Sequence, residues 1–130
     1  MYPAIGIALS GLDAATLRLR ASASNIVNMN SRGATPGAAG PAVYTPVEVR
    51  QTALASGGVE SALTPSARAA ILSYDPSASF ADSSGYVSAP DIDPAAEFIN
   101  LLTARSSYAA GLAVVRTSDE MMKDAIAIIA

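Results

Sequence analysis

Asp91 and Asp93, and Lys123 beside Asp124, come nearest to residues whose types and spacing could do chemistry. Paired carboxylates can hold a divalent cation or divide acid and base roles between them. A lysine can stand in for histidine as the base of a serine nucleophile. Neither set is complete. No third ligand or base lies near Asp91 and Asp93 in sequence, and Pro94 follows directly. The pair is therefore expected to make a turn and cap a helix, with Asp93 at the cap and Glu97 four residues on. Histidine and cysteine are absent, which excludes imidazole and thiol catalysis, thiolate metal sites and disulfides. Residues 34–41 offer only Gly37 and Gly40, with proline on both sides, and fit no phosphate loop. The expectation is a protein that is not an enzyme, with no catalytic, cofactor-binding or metal site and no small-molecule substrate. A net charge of -3, with Arg18, Arg20, Arg32, Arg50 and Arg68 scattered along the chain, sets nucleic acid aside as a partner.

Regular spacing appears instead at the two ends. Ile5, Leu9, Leu12, Thr16, Leu19, Ala23 and Ile26 form one series. Phe98, Leu101, Arg105, Tyr108, Leu112, Val115, Asp119, Met122, Ile126 and Ile129 form the other. Alternating steps of four and three keep one stripe of a helix turned toward a partner helix. The expected fold class is mainly α: long N- and C-terminal helices packed as a coiled-coil-like pair, with a small β element between them. The expected organisation is an N-terminal assembly helix in 1–33, a flexible stretch and small β element in 34–93, and a C-terminal assembly helix in 94–130. The apolar seam residues, Ile5, Leu9, Leu12, Leu19, Ile26, Phe98, Leu101, Tyr108, Leu112, Val115, Met122 and Ile126, are the expected assembly interface. Arg105 and Asp119 interrupt it, either as register-setting polar groups or as solvent-facing charges on a drifting stripe.

Composition points the same way. The chain is 51% hydrophobic but only 5% aromatic, because alanine supplies much of the apolar count. Alanine seams let helices approach closely but bury little area, at roughly 25 cal/mol per Å². A mean hydropathy of +0.34 with 15% charged residues implies surface that partners cover. Asp13, Arg18 and Arg20 interrupt the first helix and Arg105, Arg116 and Asp119 the second, so no membrane span is expected. Residues 1–12 hold no basic residue and run straight into the amphipathic segment, so no cleavable secretory signal is expected.

The first helix is expected over 3–29, with Pro3 at an early helical position and Asn25, Asn28, Asn30 and Gly33 forming a polar exit. Gly6 and Gly11 inside it each cost about 1 kcal/mol, offset only where another backbone packs closely. Alternation of Val43, Thr45, Val47 and Val49 with Tyr44, Pro46, Glu48 and Arg50 predicts an edge strand. Gly57 and Gly58 predict a turn before a strand at 59–63, and 69–74 predicts a further strand ended by Asp75 and Pro76.

The run Ser10-Gly11-Leu12-Asp13-Ala14-Ala15, followed by Ala23-Ser24-Asn25-Ile26-Val27-Asn28, resembles the S-G-L-x-A … A-S-N-I/L-A-N signature of bacterial flagellar rod, hook and hook-associated proteins, with Val27 where alanine is usual. Tyr74-Asp75-Pro76, Ala81-Asp82, Gly85-Tyr86-Val87 and Pro90-Asp91-Ile92-Asp93 resemble, in order, a stretch of the basal-body rod family of proximal-rod type C. Ser106, Ser107 and Tyr108 resemble its R-S-Y segment, although Arg105 lies one residue further from the tyrosine than the family arginine does. Ala110 and Gly111 stand where that family carries an asparagine. The residues that carry the family motif are Ser24, Asn25, Asn28, Tyr74, Pro76, Gly85, Tyr86, Pro90 and Asp93.

The resemblance implies a structural subunit of the flagellar proximal rod, polymerising through its terminal helices into the tubular drive shaft that transmits torque. Implied partners are other copies of itself, other flagellar rod proteins, the ring-rod adaptor, the membrane-embedded ring and the flagellar export apparatus. The implied place is the periplasmic rod of the basal body, reached by type III export without a cleavable signal. Asn25 and Asn28 look, within the resemblance, like side chains that satisfy backbone groups where the helix gives way to the loop. From the residues alone, a soluble helical-hairpin binding module or secretion partner is the alternative.

Overall fold

The computed structural model describes residues 2–68 and 70–129, and only the backbone of Tyr2, Pro3 and Ile129. Ala69, expected to open a strand, and the side chain of Ile129, expected to end the second seam, lie outside the described residues. Helix α1 spans Tyr2–Asn28 and helix α2 spans Pro94–Ile129, roughly 40 Å and 54 Å at 1.5 Å per residue. Asp93 caps α2 as expected: its Oδ1 accepts the Ala95 N–H at 2.9 Å and its carbonyl accepts the Glu97 N–H at 3.1 Å. The last turn of α1 carries no basic side chain. It is finished instead by Asn28, whose Nδ2 donates to the Ser24 carbonyl at 2.8 Å. Asn25 near the end of α1 bonds Glu97 in the first turn of α2, and Leu12 lies on Gly111. The two helices therefore run antiparallel, and α2 outruns α1.

Between them stand two antiparallel hairpins that do not merge into one sheet. Strands β1 (Val47–Ala53) and β2 (Val59–Pro65) pair from Val47↔Pro65 to Ala53↔Val59. Gly57 and Gly58, with φ of +88° and +87°, turn the chain between them. Strands β3 (Ala70–Tyr74) and β4 (Tyr86–Pro90) pair from Ala70↔Pro90 to Tyr74↔Tyr86. Two sequence expectations are corrected here. The strand predicted from residue 43 begins at Val47, because Pro46 has no N–H for the ladder and is buried, its carbonyl taken by the Ser66 N–H at 2.8 Å. Strand β4 was not foreseen: Val87, Ser88, Ala89 and Pro90 are all buried, so they show no alternation for a period-2 reading to find.

Small side chains make the core. Among the described residues the buried apolar ones include Ala8, Ala14, Ala15, Ala21, Val87, Ala89 and Ala104, with Val87 and Ala104 at 0% exposure, and Pro46 and Pro90 are buried beside them. A compact 13.1 kDa monomer exposes about 6,400 Å². This chain exposes 8460 Å². Large apolar side chains are exposed along both helices, Leu9, Val27, Phe98 and Ile126 among them, and on the second hairpin, where Ile71, Leu72 and Tyr74 stand open.

Gly33 joins the loop to β4 through two hydrogen bonds with Ser88, at 3.0 and 2.8 Å. A Cβ on Gly33 would lie 2.3 Å from the Val43 nitrogen and 2.7 Å from the Pro41 carbonyl oxygen, both backbone atoms. Gly33→Ala is expected to destabilise the fold by about 2–3 kcal/mol, within the range of overpacking substitutions. Urea unfolding followed by circular dichroism measures it; an unchanged midpoint would show that residues 41–43 yield freely.

Candidate functional site

The site begins with the face that each helix spends on the other. On α1 the protected stripe is Ile5, Ala8, Leu12, Ala15, Leu19, Ser22 and Ile26. On α2 it is Glu97, Leu101, Ala104, Gly111, Val115, Ser118, Met122 and Ala125, with Tyr108 at 40% exposure in the same stripe. Of the expected seam, Ile5, Leu12, Leu19 and Ile26 lie on this face, as do Leu101, Tyr108, Val115 and Met122. The alternate positions do not. Leu9, Thr16 and Ala23 are exposed, as are Phe98, Arg105, Asp119 and Ile126, while Leu112 is half-buried at the margin. The residues one position earlier, nearly all of them small, take their places.

The reason is steric. Leu12 crosses α2 where a Cβ on Gly111 would be 3.1 Å from its Cδ2 and 3.7 Å from the Ala8 carbonyl oxygen. Large side chains at both alternate columns would hold the helices apart. Small ones allow closer interaxial approach, which recovers dispersion contacts along the whole length. The condition that would offset the cost of Gly6 and Gly11 is not met, since a Cβ at either meets nothing within 4 Å; the close approach occurs at Gly111. Arg105 and Asp119 are solvent-facing in the chain, and Asp119 pairs with Lys123 at 2.6 Å on the same helix.

A polar junction locks the closed end of the helix pair. Asn25, only 3% exposed, uses all its hydrogen-bonding capacity. Its Nδ2 donates to the Val47 carbonyl at 2.8 Å and to Glu97 Oε1 at 2.6 Å. Its Oδ1 accepts the Val47 N–H at 2.9 Å and the Tyr44 hydroxyl at 3.0 Å. The Ser24 Oγ donates in turn to the Tyr44 hydroxyl oxygen at 2.9 Å. Asn28 satisfies a backbone carbonyl of its own helix, whereas Asn25 satisfies the first residue of β1 and ties it to α2. Further along α1, Arg18 bonds Gln51, and Ser10 Oγ accepts the Val59 N–H at 3.2 Å. The first hairpin is thus strapped to α1 along its length.

The remaining motif residues build the second hairpin and the start of α2. Tyr74 and Tyr86 are register partners whose rings meet edge to face at 5.4 Å. Gly85, at φ +80°, turns tightly beneath them: a Cβ there would lie 2.9 Å from the Tyr74 ring and 3.1 Å from Pro76. Asp82 Oδ1 accepts the N–H groups of Ser84 and Tyr86, both at 2.9 Å. Pro90 is buried at the end of β4, opposite Ala70. Of the two carboxylates with a chemical reading, Asp93 serves as helix cap and Asp91 faces the exposed Arg68 at 4.0 Å.

A family model described as the C-terminal region of flagellar basal body rod FlgEFG proteins matches residues 83–128, which take in β4 and nearly all of α2. The flagellar basal-body rod protein FlgC of Salmonella typhimurium is 35% identical over 118 residues, covering 89% of this chain and 88% of that protein. FlgC of Buchnera aphidicola is 32% identical over 126 residues, covering 94% and 93%. The chain belongs to the FlgC family of flagellar basal-body rod proteins. It is accordingly a structural component of the bacterial flagellar basal body, and the hydrogen-bonded junction and hairpins described above are those of a FlgC-family rod protein.

Sequence reasoning missed Tyr44 and Glu97 as partners of Asn25, and the small column Ala8, Ala15, Ser22, Ala104, Gly111, Ser118 and Ala125. Its signal was present: small residues recur every seven positions on both helices, next to the large column. By length and composition α2 is also apolar enough to cross a membrane, contrary to the expectation from its charges. Arg105, Arg116 and Asp119 are spaced so widely that an 18-residue window avoids most of them.

Two sites separate packing from polar locking. Gly111→Ala should be near neutral, because gained helix propensity of about 1 kcal/mol offsets a small shift of Leu12, whereas Gly111→Leu should destabilise by about 1–3 kcal/mol as the helices are pushed apart. Asn25→Ala leaves the Val47 backbone and Glu97 unpaired and should cost about 2–3 kcal/mol. Asn25→Asp should cost more, since a carboxylate oxygen would face both the Val47 carbonyl and the Glu97 carboxylate. Chemical denaturation of the four variants gives the order.

Proposed function

We propose that the chain polymerises through α1 and α2 into the tubular proximal rod of the flagellum and transmits torque along it. The single observation that carries this reading is the unspent face of each helix. Leu9 is 50% exposed and Val27 81% on α1; Phe98, Ile99, Leu102 and Ile126 are between 57% and 67% exposed on α2. A water-exposed apolar surface of this extent marks a place for protein partners.

Within the chain, the register set by Leu12 on Gly111 brings large against small at successive levels. Extended along the helices, that register would set Ala8 level with Val115, Ala15 with Tyr108, Leu19 with Ala104 and Ser22 with Leu101, the alternation that a coiled-coil-like pair requires. In this reading the columns that were expected to be the seam, Leu9, Thr16 and Ala23 with Phe98, Leu112 and Ile126, receive helices of neighbouring subunits. Heterologous contacts that do not close generate a filament. The terminal segments 1–33 and 94–130 are the assembly helices, and the hairpins of 34–93 brace them. Neighbours are further copies, other rod proteins, the ring-rod adaptor and the membrane-embedded ring. Delivery to the periplasm runs through the flagellar export apparatus.

Leu9→Asp and Leu12→Asp test the two faces. Leu9→Asp should leave the melting temperature of the purified chain within about 2 °C, as for exposed sites, yet abolish swimming in a strain lacking the native gene. Leu12→Asp, which buries a charge against Gly111, should lose both the fold and swimming. Normal motility and complete basal bodies by electron microscopy in the Leu9→Asp strain would overturn the assembly reading.

A further inference from the structure

Each hairpin has two outer strand edges, and three of the four are engaged or blunted. On β1, Asn25 takes both the N–H and the carbonyl of Val47. On β2, the Val59 N–H goes to Ser10 Oγ, and Pro65 has no N–H to offer. On β4, Ser88 exchanges both of its outward hydrogen bonds with Gly33. Strand β3 differs. In an antiparallel ladder, residues that turn their N–H and carbonyl toward the partner strand alternate with residues that turn both away. Ser88 spends both groups on Gly33, so its register partner Leu72 turns both away from β4, and Tyr74, two residues on, does the same. Among the described residues nothing takes these groups. The side chains stand equally open: Leu72 is 64% exposed, Tyr74 66% and Ile71 51%. The strand, Ala70–Tyr74, holds no charge and no proline, the usual means by which an edge discourages a further strand.

We propose that an extended segment of a neighbouring protein, not a second copy of this chain, adds to the outer edge of β3 as a third strand. The open groups of Leu72 and Tyr74 bind its main chain. Leu72 and Tyr74 on one face of the sheet and Ile71 on the other select uncharged, apolar side chains along it. Charge fixes its ends. Arg68, two positions before the strand, has an 89% exposed side chain that reaches Asp91 only at 4.0 Å, and Asp75 follows Tyr74 directly. A segment with an acidic residue at the Arg68 end and a basic residue at the Asp75 end complements both.

A second copy fits poorly because its other edges are engaged or blunted in the same way. That leaves β3 on β3, which consumes both open edges and closes, whereas contacts in a filament must propagate. This exclusion rests on the rod reading; the open edge itself does not. It also stands apart from both terminal helices, since β3 pairs with β4 and β4 with Gly33.

Proline separates the edge from the hairpin. Leu72→Pro removes an outward N–H and leaves the bonds to β4, a substitution that edge strands accommodate. Leu72→Val keeps that N–H, the apolar character and the strand preference. In a strain lacking the native gene, Leu72→Pro is expected to abolish swimming and complete basal bodies, and Leu72→Val to retain both. A photo-reactive benzophenone side chain placed at Ile71, illuminated in isolated basal bodies, is expected to join β3 to a segment of a different protein, read by mass spectrometry of the linked peptides. Normal swimming with Leu72→Pro, equal loss with Leu72→Val, no adduct, or an adduct confined to a second copy would each overturn the proposal. The two readings fail separately: a motile Leu72→Pro strain beside a non-motile Leu9→Asp strain removes the added strand alone, and an adduct to a different protein beside a motile Leu9→Asp strain removes helix-mediated assembly alone.

Discussion

Everything in this chain rests on how closely two alanine-rich helices approach. Leu12 lies over Gly111, and Ala15 and Ala104 are almost completely buried where the helices cross. At that separation the backbones themselves become part of the packing, and dispersion along roughly seven turns replaces the large aromatic core that the chain lacks. The same closeness limits what each contact contributes. A buried alanine removes little apolar area from water, so the helix pair needs a second kind of anchor.

Asn25 supplies it. A buried amide with both donors and both acceptors engaged avoids the penalty of an unsatisfied polar group, and its geometry admits one arrangement of α1, β1, Tyr44 and α2. The hydrophobic contacts are non-directional, and small residues at heptad spacing would tolerate a slip of the helices by one heptad. The Asn25 to Glu97 bond does not tolerate it. Packing thus brings the helices together while the polar junction sets their register, and the first hairpin is held by the same atoms.

The result is a molecule with one face spent and one unspent on each helix. Ile5, Leu12, Leu19 and Ile26 belong to the spent face, Leu9 and Val27 to the other, separated by about 100° of rotation per residue. Surface beyond that of a compact monomer is the consequence of this shape, and membership of the FlgC rod family gives that surface its setting. Among the described residues the hairpins hold no cluster of acidic side chains that could bind a metal ion. Their motif residues, from Tyr74 to Asp93, are spent on turning the chain and capping α2.

Local chemistry by itself determined the two helices, the Asp93 cap and the Gly57-Gly58 turn, because caps, turns and heptad spacing act between residues close in sequence. Half of the helix seam was equally legible: the large column at Ile5, Leu12, Leu19 and Ile26 holds under either phase. Only the tertiary structure decided the other half. Steps of three or four from the large column are both helical, and the choice between Ala8 and Leu9, or Ala104 and Arg105, depends on which side the partner helix lies and how near it comes. Strand β4 was hidden for a related reason, since burial on both faces erases alternation. The role of Asn25 was hidden because its partners, Val47 and Glu97, are 22 and 72 residues away along the chain. Sequence spacing carries no information about such a meeting; it exists only once the helices have closed on each other.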